Sequence, residues 1–126
     1  CTYQPMTDQL PLVLIVEDES DLANIYERWL GEKYRVRTAY DGDEAVEQLD
    51  NEIDLILVDR RIPGRCGAEV VEEAHEQGIN CRVSVVTAMK REFGTTGINC
   101  DDYLLKPVKR DELIETTENL LSTAAT

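Results

Sequence analysis

Two apolar runs constrain this chain more than anything else in it. "LVLIV" at residues 12–16 and "LILV" inside "IDLILVD" at 53–59 are continuous rather than alternating, so neither side of either run suits contact with water. Short runs of this kind, rich in β-branched residues, read as strands covered on both faces. That arrangement calls for a parallel sheet with helices packed on either side.

The intervening segments have helical periodicity. In residues 20–31 the apolar side chains Leu22, Ile25, Tyr26, Trp29 and Leu30 fall on one helical face, with Ser20 placed to cap the start and Gly31 to end it. "YRVRTAY" at 34–40 alternates instead, with Tyr34, Val36, Thr38 and Tyr40 opposite Arg35 and Arg37, the pattern of an edge strand. "DGDEAVEQLD" opens a second helix with Ala45, Val46 and Leu49 inward, and "IDLILVD" reads as the centre of the sheet. A third helix spans 68–77 and closes at Gly78, and "RVSVVT" at 82–87 is a fourth strand. Residues 90–98 predict a short, weak helix, because Gly94, Thr95, Thr96 and Gly97 all disfavour one. "DDYLLK" at 101–106 gives a fifth strand, and a last helix over 110–122 carries Leu113, Ile114, Thr117, Leu120 and Leu121 on one stripe.

Five strands alternating with five helices predict one α/β domain with an open parallel sheet. Within the 126 residues, the expected division is a loose polar segment over 1–10, a folded domain over 11–122 and a short tail over 123–126.

Charge narrows the partners. The net charge is −13, from 26 acidic and 13 basic residues. Such an excess repels nucleic acid and anionic lipid, so neither is an expected direct partner. The longest apolar runs are about five residues, far short of the roughly 20 that span a bilayer. Cys1, Cys66, Cys81 and Cys100 lack metal-ligand spacing and read as free thiols, which places the expected chain in a reducing cytoplasm. Acidic helix faces with only four lysines resemble those of haloarchaeal proteins, for which molar salt screens self-repulsion over about 3 Å. The expected result is a melting temperature that climbs steadily from dilute to molar KCl. A melting temperature indifferent to KCl would argue for an ordinary acidic protein.

The ends of the strands carry the chemistry. Asp59, which ends the third strand, could alone be a turn residue, a helix cap or a reactive group. Its neighbours bear on the choice: Glu17 and Asp18 end the first strand, Thr87 and then Ala88 end the fourth, and Lys106 followed by Pro107 ends the fifth. In an open parallel sheet these positions share one rim, where ligands bind. Two carboxylates about 5 Å apart repel by roughly 3 kcal/mol at an effective dielectric near 20, so three of them need cations. Lys106 supplies one positive charge, and an all-oxygen site suits Mg²⁺. Acids, a metal, a lysine and a hydroxyl make a set that can handle a phosphoryl group, with one carboxylate free to be the nucleophile.

These residues carry a resemblance. "VEDE" after the first strand, "DRRIPGRCG" with Pro63 and Gly67 following Asp59, "TA" at 87–88 and "YLLKP" with Tyr103 before Lys106 together resemble the receiver domain of two-component response regulators. "VDRRIP" is further similar to haloarchaeal regulators that carry a C-terminal HalX-type output region. The resemblance implies a flavodoxin-like (βα)5 three-layer sandwich with strand order 2-1-3-4-5. It also implies a role for each position. Asp59 is the phosphoacceptor. Asp18 binds Mg²⁺ directly, Glu17 acts largely through water, and the backbone carbonyl of Arg61 is a further ligand. Lys106 bridges Asp59 and the phosphoryl group, while the Thr87 hydroxyl and the Ala88 amide bind phosphoryl oxygens. Thr87 and Tyr103 form the switch that alters the surface of the 90–98 helix, the fifth strand and the last helix. The partners implied are a sensor histidine kinase, an output domain or downstream protein, and a second copy as a homodimer. The output implied is control of transcription. Apart from its own phosphorylation and dephosphorylation, no enzymatic activity is expected.

The interval from Thr87 to Lys106 is a few residues shorter than the usual family pattern. Two other functions compete. One is a degenerate receiver that binds proteins without phosphorylation, against which the complete set of acids, Thr87 and Lys106 argues. The other is a small-molecule phosphatase working through an aspartyl phosphate, but the common version needs an acid two residues after the nucleophile, and Arg61 stands there. His75 reads as a surface residue of the third helix, and the side chains of Arg60 and Arg61 as solvated flanks of the rim.

Overall fold

A computed structural model describes residues 10–59, 67–87 and 101–125. The elements in chain order are β1 (Leu12–Val16), α1 (Ser20–Leu30), β2 (Arg35–Ala39), α2 (Gly42–Glu47), β3 (Ile53–Asp59), α3 (Gly67–Glu76), β4 (Arg82–Thr87), β5 (Asp102–Leu105) and α4 (Arg110–Ala125). The five strands are all parallel, in the order β2-β1-β3-β4-β5. This is the flavodoxin-like arrangement expected, with β3 at the centre and the alternating strand β2 on an edge. The short helix expected over 90–98 lies outside the described residues.

Alternation along the strands divides the core into two layers. Leu12, Leu14, Val16, Ile56, Val58, Val83 and Val85 pack with Ala45 and Leu49 of the α2 region and Val70, Val71 and Ala74 of α3. Val13, Ile15, Leu55, Leu57 and Val86 pack on the opposite face with Tyr26 and Leu30 of α1 and Leu113 and Leu121 of α4. Ile53 and Leu55 are two apart yet serve opposite layers. The register between β1 and β3 shifts at this point, with Leu12 opposite Ile53 and Val13 opposite Leu55. Asp54 occupies the irregularity, and its carboxylate accepts the Leu12 N–H at 2.9 Å. The irregularity lets both apolar residues face inward and keeps a backbone donor satisfied.

Local chemistry explains the other boundaries. The Asp41 carboxylate accepts the Glu44 N–H at 2.7 Å, and the Glu44 side chain accepts the Tyr40 N–H at 2.7 Å, so reciprocal bonds start α2. Arg37 donates to Gln48 O and to the Asp50 carboxylate, and Arg35 pairs with Glu52, which fastens edge strand β2 to the α2–β3 connection. Two expectations for α1 are corrected. Glu19, not Ser20, holds the N-cap position, without a side-chain cap, because Ser20 already lies in the first turn. Ile25 is exposed, since the helix presents Ala23, Tyr26 and Leu30 to the sheet while Leu22 and Trp29 flank that line half-buried. His75 is exposed on α3 as expected, and Cys81 is a free thiol; the other three cysteines lie outside the described residues. Among the described residues, no helix is long and apolar enough to cross a membrane.

Gly78 ends α3 at φ 77°, where Ile79 N–H bonds Ala74 O and Gly78 N–H bonds His75 O, each at 3.0 Å. A Cβ there would meet no atom within 4 Å, so its cost is conformational only. Gly78→Ala is expected to lower stability by about 1 kcal/mol, and Gly78→Asn by less, in urea denaturation. Equal stability of Gly78→Ala and the parent would contradict the left-handed end.

Candidate functional site

β1, β3, β4 and β5 bring their C-terminal ends to one edge of the sheet, and each end delivers part of the site. Val16 and Val58 are paired neighbours, so the residues that follow them, Glu17 and Asp59, emerge side by side. Asp59 pairs in turn with Val86, and Thr87 with Leu105, so Lys106 follows one residue past the level of Thr87. The Lys106 N–H donates to Thr87 O at 2.9 Å, fixing the ends of β4 and β5 to one another. A cis peptide bond joins Lys106 to Pro107.

The acids crowd together. Carboxylate oxygens of Glu17, Asp18 and Asp59 lie within 4.8 Å of one another. Glu17 is 1% exposed, Asp59 5% and Thr87 3%, whereas Asp18 is exposed to solvent. Lys106 reaches into this group. Its Nζ donates to Asp59 Oδ2 at 2.5 Å and stands 3.3 Å from Glu17 Oε1. The second contact is an ion pair without hydrogen-bond geometry, so Glu17 Oε1 is buried with no hydrogen-bond donor among the described residues. Glu17 Oε2 accepts the Glu19 N–H at 3.1 Å, and the Glu17 N–H is held by Ala39 O at 3.0 Å.

Burial pushes the Glu17 carboxyl up to about 7; the Glu19 N–H and Lys106 oppose the rise, and the charge of Asp59 adds to it. Lys106 shows the opposite balance. Burial disfavours its ammonium, but the hydrogen bond and charge of Asp59 outweigh that, so it holds its proton more firmly than a free lysine. Three carboxylates thus share one lysine at this edge, and the buried Glu17 carboxyl is driven toward neutrality chiefly by the loss of water around it. The donor set is all oxygen, and one of those oxygens is buried without a hydrogen bond among the described residues, which fits a small hard divalent ion such as Mg²⁺.

Of the residues singled out from sequence, Glu17, Asp18, Asp59, Thr87 and Lys106 are brought to this edge. Tyr103 is half-buried in β5 and packs against the layer formed by α2 and α3. The Arg61 carbonyl, the Ala88 amide and the side chain of Arg60 lie outside the described residues. Two participants escaped the sequence reading. The Glu19 N–H, which orients Glu17, is a backbone group with no side-chain signature. Tyr26 was read as helix packing, yet burial together with the charge of Glu17 raises its phenol to about 12, and it lines an apolar groove with Trp29, Lys106 and Pro107.

Comparison with known proteins agrees with this geometry. The family model for the response regulator receiver domain matches residues 13–118. A Haloferax volcanii protein named "Putative transcriptional regulator" is 44% identical over 111 residues, covering 87% of this chain and 19% of that protein. The response regulator SaeR of Staphylococcus aureus is 33% identical over 114 residues, covering 87% of this chain and 50% of SaeR. This chain thus spans half or less of the length of these two relatives. Among solved structures, a CheY-like receiver domain from Methanospirillum hungatei superposes with a TM-score of 0.81 at 28% identity, over 90% of this chain and 95% of that one. The response regulator TrrA of Thermotoga maritima, solved with Mg²⁺ and a beryllofluoride group, gives a TM-score of 0.77 at 27% identity, over 89% and 100% of the two chains. The haloarchaeal relative accords with the acidic, lysine-poor composition. With its strand order and the acid cluster at the sheet edge, the chain belongs to the receiver-domain family of two-component response regulators.

Proposed function

We propose that this chain accepts a phosphoryl group on Asp59 from a sensor histidine kinase, and that Mg²⁺ bound at the acid cluster assists the transfer. The observation that carries the reading is the grouping of Glu17, Asp18 and Asp59 around Lys106 at the carboxyl edge of the sheet. An Asp59 carboxylate oxygen attacks phosphorus, a P–O bond forms, and the bond from phosphorus to the donor's histidine nitrogen breaks with its electron pair returning to the imidazole. Lys106 already holds the carboxylate and carries the positive charge that the arriving oxygens need. Glu17, Asp18 and Asp59 would hold the ion, which supplies additional positive charge at the phosphoryl oxygens. The Thr87 hydroxyl, at the neighbouring strand end, is placed as a donor to one of those oxygens. The position of TrrA in complex with Mg²⁺ and beryllofluoride among the structural relatives supports the reading.

Downstream, Thr87 and Tyr103 transmit the change to the surface around β5 and α4, and the output is transcription control, as the names of the relatives suggest. The test is exposure of the protein to acetyl phosphate with Mg²⁺ or with EDTA, followed by intact-mass measurement. The expected result is a single adduct of one phosphoryl group, stable in acid, lost in base and absent with EDTA. No adduct, or one mapped to a residue other than Asp59, would overturn the proposal.

A further inference from the structure

Five buried side chains among the described residues are polar or charged. Glu17, Asp59 and Thr87 belong to the acid site. The other two, Ser84 and Thr117, lie elsewhere, at 0% and 1% exposure, and neither hydroxyl has a hydrogen-bond partner among the described residues. They stand on elements that pack together. Ser84 alternates with Val83 and Val85, which serve the opposite layer, so it shares the face of Val86 toward α1 and α4. Thr117 sits one helical turn from Leu113 and one from Leu121, the two α4 residues that anchor that layer. An apolar pair at these positions would hold α4 to the sheet more tightly, because a buried hydroxyl that forfeits its bonds to water weakens the packing it joins.

The placement of this weak seam connects it to the site. Ser84 is three residues before Thr87 on the same strand and pairs with Leu57, two before Asp59, and with Asp102, next to Tyr103. On the other side, α4 begins four residues after Lys106, whose backbone is bonded to Thr87. Thr87 and Lys106 therefore stand within a few residues of the two elements, β4 and α4, that carry the two hydroxyls without a partner among the described residues.

We propose that Ser84 and Thr117 form a weak polar seam that lets α4 shift on β4 when the acid site changes state. The inference rests on the phosphoacceptor reading and extends it to a route by which the last helix responds. Ser84→Ala combined with Thr117→Val closes the seam with little change of shape. The double variant is expected to melt roughly 4 °C higher than the parent without phosphodonor. Its uptake of phosphoryl from acetyl phosphate should match the parent. In the parent, phosphorylation should change amide hydrogen exchange in α4, and in the variant that change should fall at least threefold. A lower melting temperature in the variant, or an undiminished exchange response in a variant that carries the label, would overturn the seam. Failure of the parent itself to take the label would instead overturn the phosphoacceptor reading.

Discussion

Asp59→Asn is expected to bring phosphoryl uptake from acetyl phosphate to background, a loss of at least about 10²-fold. The side chain keeps its size, and β3 remains the central strand, so the fold should persist; far-UV circular dichroism checks that. What disappears is the nucleophile, because an amide oxygen does not form the acyl phosphate. The charge pattern changes as well. Lys106 loses the negative charge it meets at 2.5 Å and keeps that of Glu17 at 3.3 Å. Glu17 in turn loses one of the charges that raise its pKa. Mg²⁺ affinity, followed by fluorescence of Trp29 at the edge of α1, should fall with the loss of one carboxylate. Uptake that survives the substitution would mean that another residue accepts the phosphoryl group, and the assignment of Asp59 would fail.

Glu17→Gln should remove one source of stability loss with rising pH in metal-free buffer. The Glu17 carboxyl rises from 4.5 to about 7 on folding. Between those values the folded protein binds more protons than the unfolded chain, so this group's contribution is fully present below pH 4.5 and is lost as pH climbs through about 7. The difference of 7 − 4.5 units sets a ceiling of roughly 3 kcal/mol, at 1.36 kcal/mol per unit. Glutamine cannot ionise, so the stability of the variant relative to the parent should improve by up to that amount from pH 4.5 to pH 8. Urea denaturation in EDTA and constant KCl at several pH values measures it. A variant-to-parent difference that stays flat over this range would remove the argument that Glu17 is buried against its charge. Mg²⁺ should narrow the gap at pH 8, because a bound cation stabilises the ionised parent and has one carboxylate fewer in the variant.

The parts of this molecule legible in sequence are those set by short-range pattern. The continuous runs at 12–16 and 53–59 identified buried strands, and their bounds match β1 and β3. The alternation around Arg35 and Arg37 marked β2 as an edge, because one side of an edge strand remains wet. The site residues were legible for a related reason. A parallel sheet aligns all its strand ends, so a chemically suited residue after each apolar run implies a common rim even though the residues are far apart in sequence.

Other features depend on rotation and distance, which pattern does not encode. The helical stripe of α1 included Ile25, but the roll of the helix on the sheet is decided by packing, and the sheet meets Ala23 instead. The register shift at Asp54 exists because two strands must match, and neither strand alone requires it. The state of Glu17 follows from burial among Asp59, Lys106 and the Glu19 N–H, a balance set over a few ångströms. Ser84 reads in sequence as an ordinary strand residue; only packing under α4 leaves its hydroxyl without a partner among the described residues. The sequence by itself determined the strands, their order of burial and the chemical groups at their ends. The tertiary structure decided which of those groups touch, because desolvation and charge coupling act through space and depend on distances that no linear spacing contains.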